Sequence, residues 1–291
     1  MALQLHPSHH ELHRSRMPPA LPVHSALLSC WPIGIHMLRK FRRLWPTSRY
    51  ALAAFPDFTS AVRESADLFF YREFLHTSPL AQASSNLLQK LDTTQITLPP
   101  KALLGDGTQS VEGLCFLVSL AKALDAHRIF EIGTFTGVTA LTLAMNLPAL
   151  TIDTLDLPTG DLPALDFAQD DKGYLPSQLR RRVFEGKPEA GRITQHESDS
   201  AQFDFSALGK TFDLVYVDGA HSYDYVMNDT RAAFKIVSGS VGAIVWDDYS
   251  PGWYDIVRYL NERTDLELYR VPNTRLVLWL SPEAKSLLTA N

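Results

Sequence analysis

Five short runs rich in apolar residues, separated by segments long enough for a helix, constrain this chain more than any other feature. They are RIFEIG (128–133), LTIDTLDL (150–157), RITQHE (192–197), FDLVYVDG (212–219) and GAIVWDD (242–248). Continuous short apolar runs suit strands buried on both faces, the mark of a parallel sheet covered by helices on either side. Near the end, LELYRV (266–271) and TRLVLWL (274–280) are separated only by Pro272 and Asn273. That gap is too short for a helical crossover, so the last pair must be antiparallel. The predicted fold is α/β: a doubly wound, mostly parallel seven-stranded sheet with a terminal antiparallel hairpin, preceded by an N-terminal helical cap.

Three segments are expected. Residues 1–56 form a basic, His- and Pro-rich leader, poorly ordered by composition; 57–109 form a helical cap and loop; 110–285 form the main domain. Within 110–125, Val111, Leu114, Cys115, Val118, Ala121 and Leu124 follow helical spacing behind Ser110 as N-cap. The polar excursion at 159–190 is predicted to carry a helix near 176–184, with Tyr174 and the Arg180–Arg182 run as surface or contact residues. Residues 1–50 hold seven Lys/Arg against the single acid Glu11, so the rest of the chain has a net charge of −11 within a total of −5. An acidic main domain gives no reason to expect a nucleic-acid partner. The basic stretch from Met37 allows weak contact with an anionic membrane surface or organelle targeting, but Pro22, His24, Pro32 and His36 break the apolar stretch before it, which makes a poor membrane span. Cys30 and Cys115 are the only cysteines. With no disulfide framework to suggest export, a cytoplasmic location is the expectation. Apolar residues on the N-terminal helices leave homo-oligomerisation open.

In open α/β sheets ligands sit at the carboxyl ends of strands, where loops enter helices. The first strand exits as Glu131-Ile132-Gly133-Thr134-Phe135-Thr136-Gly137. Two glycines four apart allow close backbone approach, and Glu131 offers a carboxylate suited to an ammonium group. A nicotinamide loop needs a middle glycine for its pyrophosphate, and Phe135 stands in that place. By itself the loop fits either a ligand site or tight strand-to-helix packing. Asp156 follows Gly133 by 23 positions at the end of the second strand, where a carboxylate can accept ribose hydroxyls. Asp153, one pleat back, is the rival. The fourth and fifth strands end in Asp218 and in Asp247-Asp248 and should be neighbours. Three carboxylates crowded together either cap helices or share a hard divalent cation such as Mg²⁺.

The E-I-G-T-F-T-G wording resembles the first motif of class I S-adenosylmethionine-dependent methyltransferases, especially the metal-dependent O-methyltransferases of the catechol and caffeoyl-CoA type. The likeness spans about 100–280. D-G-A-H-S-Y at 218–223 and W-D-D-Y at 246–249 look still more like the branch that includes macrolide-sugar O-methyltransferases. The resemblance implies S-adenosylmethionine as cofactor and transfer to the hydroxyl of a small molecule. It places Glu131 at the methionine amino group, Gly133, Thr134 and Gly137 along the methionine and sulfonium, Asp156 at the ribose and Asp199 at the adenine. Asp218, Asp247 and Asp248 would hold Mg²⁺, with His221 as the base; His and Asp248 replace the Lys and Asn of the catechol enzymes, which puts catechol specificity in doubt. An unperturbed imidazole titrates near pH 6.5 and is largely free base at neutrality, which suits that role. The rivals are a non-catalytic or nicotinamide-binding protein of related fold, or metal-free transfer to nitrogen or carbon.

Overall fold

The protein is seen in a computed structural model that describes residues 74, 77–91, 95–105, 107–158, 160, 163–166, 171 and 181–290. All belong to one compact unit, Asp67–Asn291. The leader, Tyr174 and most of the helix expected near 176–184 lie outside the described residues.

Along the chain run β1 (Ala81–Gln82), α1 (Ser85–Leu88), α2 (Val111–Ala123), β2 (Arg128–Ile132), α3 (Val138–Asn146), β3 (Thr151–Asp156), β4 (Ile193–Glu197), β5 (Leu214–Val217), α4 (Tyr223–Ile236), β6 (Ala243–Trp246), α5 (Tyr254–Glu262), β7 (Tyr269–Arg270), β8 (Val277–Leu280) and α6 (Pro282–Thr289). The sheet order is β1-β7-β8-β6-β5-β2-β3-β4. Every pairing is parallel except those of β8, which runs antiparallel to both β6 and β7. The doubly wound sheet and the terminal hairpin are therefore as the sequence predicts.

Two details differ. The sheet has eight strands, because Ala81–Gln82 pairs with β7 inside the segment expected to be helical. Two exposed residues carry no alternation that could announce a strand. Residues 181–184, expected to end a helix, run as irregular chain into a turn.

Alternation along the strands supplies a core on each face. Ile129, Tyr216 and Val245 belong to one cluster with α2, α3 and α6. Their neighbours Phe130, Val215, Val217, Ile244 and Trp246 belong to the other, with α4 and α5. A strand buried on both faces reads as a continuous apolar run, which is why these segments stand out in the sequence. The helix α2 begins where Ser110 accepts a hydrogen bond from the Gly113 N–H. Its Leu117 is fully buried. Leu117→Ala should cost about 2–5 kcal/mol, read as a lower chemical-denaturation midpoint.

The strand order reverses between β2 and β5, which run parallel: β3 and β4 build outward on one side of β2, while β5 and β6 build on the other. The carboxyl ends of β2 and β5 thus frame the crevice where such sheets bind ligands.

Candidate functional site

A cavity of about 310 Å³ opens at that crevice. Gly133 and Phe135 of the loop after β2 line it, as do Asp156 after β3, Asp199 after β4, Asp218 and His221 after β5, and Asp247 and Asp248 after β6. Gly133 has φ +94°, and a Cβ built there would lie 1.8 Å from the Asp218 carbonyl oxygen. Only glycine allows both the backbone angle and the approach of the two strand ends. Phe135 has φ +48°, so the residue in the middle-glycine position keeps a glycine-like backbone despite its side chain. For a bulky residue this is a strained conformation, and such strain gathers at ligand sites.

Glu131, Thr134 and Gly137 do not line the cavity. The Glu131 carboxylate is buried beneath the loop and accepts a 2.5 Å hydrogen bond from the Thr154 hydroxyl. Burial pushes its pKa up to about 8, with Thr154 and Arg182 opposing and Asp156 adding to the rise. Thr134 is hydrogen-bonded to Thr154 at 2.7 Å and to Gln195 at 3.0 Å. Gly137, at φ +82°, lies against Phe184, whose ring would be 2.6 Å from an added Cβ. These three residues shape the loop from behind.

Asp156 accepts from the Leu157 N–H at 3.1 Å and from Arg182 Nη2 at 2.7 Å. Arg182 also donates to the Phe135 carbonyl, so one guanidinium ties the loop to the carboxylate. Burial raises the Asp156 pKa against the pull of that guanidinium. The rival Asp153 faces away from the cavity: it is paired with His196 at 2.9 Å and Lys210 at 2.6 Å. Asp199 lines the crevice with its carboxylate already committed, accepting from Ala164 N at 2.6 Å, Tyr225 Oη at 2.8 Å and Ala201 N at 2.8 Å.

The acids after β5 and β6 converge as expected. Atoms of Asp218, His221 and Asp248 lie within 4.8 Å of one another. Asp247 is set slightly behind, its Oδ2 accepting from Gln109 Nε2 at 2.6 Å and lying 3.0 Å from Tyr216 Oη. Asp248 takes φ +59°, and its Oδ2 meets His221 Nε2 at 2.7 Å. Its Oδ1 lies 2.9 Å from Arg275 Nη1 but accepts no aligned hydrogen bond. Burial, followed by repulsion from Asp247 and Asp248, raises the Asp218 pKa well above the carboxylate range. Burial and Asp248 likewise push Asp247 up to about 7. For Asp248 burial acts upward too, yet His221 and Arg275 hold it below its ordinary value.

His221 is clamped. Its Nδ1 pairs with Asp171, its backbone N–H donates to the same carboxylate at 2.9 Å, and its ring stacks on Trp253 at 3.8 Å. Burial pulls its pKa down, but the hydrogen bonds to Asp171 and Asp248 win and carry it up to about 10. The premise of an unperturbed imidazole is therefore corrected: between two carboxylates the ring is an imidazolium at neutral pH in the ligand-free chain. Four acids, Asp171, Asp218, Asp247 and Asp248, crowd round two cations, His221 and Arg275, and in the ligand-free chain the imbalance is met by protonation of Asp218.

The methyltransferase domain family matches residues 130–249. This segment is a methyltransferase domain. It runs from β2 to the residue after Asp248, so it holds every site residue predicted from sequence. With the doubly wound sheet around it, the match agrees with the enzyme class that the sequence resembles. No curated protein sequence matches the chain.

Similar solved structures include the O-methyltransferase TomG from Streptomyces achromogenes, involved in tomaymycin synthesis and in complex with S-adenosylmethionine. It is 20% identical over 75% of this chain and 96% of its own, with a TM-score of 0.42. The S-adenosylhomocysteine-bound methyltransferase PaMTH1 from Podospora anserina is 16% identical over 78% and 97%, with a TM-score of 0.44. An O-methyltransferase from Bacillus cereus in complex with S-adenosylhomocysteine is 15% identical over 72% and 96%, with a TM-score of 0.41.

The methyltransferase domain draws on residues that sequence reasoning passed over. Tyr216 lies two positions before Asp218 on the same strand face, a signal that alternation alone carries. Asp171, Trp253, Gln109 and Arg275 come from loops, where no period foretells direction. Among the described residues no helix is long and apolar enough to cross a membrane.

The buried acids of the methyltransferase domain also set a pH dependence of stability. Glu131 is raised from 4.5 to about 8, and Asp229, chiefly by burial, from 3.8 to about 7. Below the unfolded values both states are protonated and these acids cost nothing. As pH rises the unfolded chain ionises first, and the penalty is complete above about pH 8. His221 acts in the same direction, because its stabilisation is full below pH 6.5 and is lost as pH climbs towards about 10. The ligand-free protein should therefore melt at a higher temperature near pH 5.5 than near pH 9, a trend that a thermal-unfolding series checks.

Proposed function

We propose that the chain is an S-adenosylmethionine-dependent O-methyltransferase acting on a small-molecule hydroxyl, with a divalent cation at Asp218, Asp247 and Asp248. The observation that carries the reading is that the acid cluster and the glycine loop share one cavity. A methyl donor on the loop and an acceptor on the acids would then face each other. The cofactor's ribose falls to Asp156 and its adenine to the wall carrying Asp199. The Gly133 backbone, which also lines the cavity, would admit the methionine end.

The donor set fits a hard cation. It is all-oxygen apart from His221, it contains a buried oxygen of Asp248 without an aligned donor, and it crowds carboxyl groups whose ionised forms repel one another unless a cation joins them. When bound, such an ion acts as Lewis acid and template for the acceptor oxygen. Asp218 and Asp248 hold the charge in place, and the wall formed by Trp253 excludes water from the His221 ring. His221, oriented through Nδ1 by Asp171, would act as base only after the imidazolium has released its Nε2 proton to solvent, which a cation drawing Asp248 away from the ring would favour; the freed Nε2 then takes the acceptor proton. Arg275 supports a second reading, in which its guanidinium balances the acids and transfer proceeds without metal.

Transfer of labelled methyl from S-adenosylmethionine to a panel of small hydroxyl compounds, run with Mg²⁺ and with a chelator, tests the proposal. Methyl ethers formed only with the metal are expected. Full turnover in chelator would leave the second reading, and methylation confined to nitrogen or carbon would remove both.

A further inference from the structure

Behind the acid cluster lies a closed hydrogen-bond network that packing does not require. Gln109, Tyr216 and Asp247 are 3%, 0% and 4% exposed. Phe and Leu would fill the places of Tyr216 and Gln109, whereas a buried phenol and amide are costly unless each polar atom is satisfied.

Here they are satisfied in a directed way. Gln109 Oε1 accepts from the Ser110 N–H at 2.7 Å and the Ser110 hydroxyl at 3.0 Å, which fixes the amide orientation. Its Nε2 then donates to Tyr216 Oη at 2.8 Å and Asp247 Oδ2 at 2.6 Å. With its oxygen receiving a proton from Gln109, Tyr216 must spend its own single proton on a carboxylate. Oδ2 of Asp218 and Oδ2 of Asp247 both lie 3.0 Å away. Asp247 is already served by Gln109 and, at Oδ1, by the Asp248 N–H at 2.7 Å. Among the described residues the Asp218 carboxylate has Tyr216 as its hydrogen-bond donor, so the proton belongs there. Gly113 makes the network possible, since a Cβ at that position would lie 2.2 Å from Gln109 Oε1.

We infer that Tyr216, locked by Gln109, is a positioning residue that fixes the carboxylates of Asp218 and Asp247 for the divalent cation. The inference rests on the proposed metal site, and groups that orient metal ligands from behind commonly govern affinity about 10–100-fold.

Titration of the full chain with Mn²⁺, followed by calorimetry and by the Mn²⁺ electron paramagnetic resonance spectrum, decides it. The native chain should bind the ion. Tyr216→Phe keeps the ring and its packing, so it should unfold near the native temperature yet bind Mn²⁺ about 10–100-fold more weakly. Gly113→Ala deletes no group of the network and improves helix propensity, but it displaces the Gln109 amide and should weaken Mn²⁺ in the same direction. Should Tyr216→Phe fail to fold, Gly113→Ala carries the decision. Native binding with unchanged affinity and spectrum in the folded variants overturns the positioning role and leaves the metal site standing. Absence of Mn²⁺ binding by the native chain overturns both.

Discussion

Asp218→Asn should lower methyl transfer by on the order of 10³-fold, several kcal/mol of lost charge stabilisation at tenfold per 1.4 kcal/mol. The same substitution should leave the ligand-free protein at least as stable near neutral pH. Asp218 is buried against Asp247 and Asp248 and is pushed well above the usual carboxylate range, so an uncharged isostere spares the fold the cost of keeping that carboxyl protonated near neutral pH. Tyr216 can still donate to the Asn amide oxygen. A variant that melts no lower than the native protein but has lost turnover is the signature of a residue kept for function at a cost in stability. Thermal unfolding and initial rates on one preparation check both halves. Native-like turnover would remove Asp218 from the reaction.

Gly133→Ala should abolish cofactor binding altogether and lower the melting temperature. A left-handed backbone costs a non-glycine residue roughly 1–2 kcal/mol, but the larger effect is steric. The added Cβ would lie 1.8 Å from the Asp218 carbonyl oxygen, which is backbone and has nowhere to move without separating β2 from β5. One methyl group would therefore disturb both the loop and the strand end that presents the acids. Circular dichroism with S-adenosylhomocysteine titration separates the two effects: retained secondary structure without binding is the expected result. By contrast Gly137→Ala meets a Phe184 ring carbon at 2.6 Å, a side chain that can yield, so its effect should be milder.

The sheet was legible in the sequence because its strands are buried on both faces and therefore read as apolar runs. The final antiparallel pair was legible because two residues cannot span a crossover. β1 was not, since two exposed residues leave no pattern. α6 was missed although Ser281, Pro282 and Glu283 carry the signs of a helix start, with Ser281 accepting from the Ala284 N–H. At the site, Asp218, His221, Asp247 and Asp248 could be placed because each follows a strand end. Their partners could not. Asp171 reaches His221 from 50 positions away and Gln109 reaches Asp247 from 138, and no local rule links such distances. The charge state of His221 was misread for that reason: a reference pKa describes an imidazole in water, and this ring lies between two carboxylates. Glu131 was read from its position in the motif, while the side-chain alternation of β2 puts it beneath the loop.

The central claim is that the crevice between β2 and β5 holds S-adenosylmethionine and not a nicotinamide nucleotide. Calorimetric titration of the full chain with S-adenosylhomocysteine and with NAD⁺, each with and without Mg²⁺, tests it most directly. The account predicts saturable binding of S-adenosylhomocysteine and none of NAD⁺, because Phe135 occupies the place where a pyrophosphate loop requires glycine. Binding of NAD⁺ without binding of S-adenosylhomocysteine would contradict it.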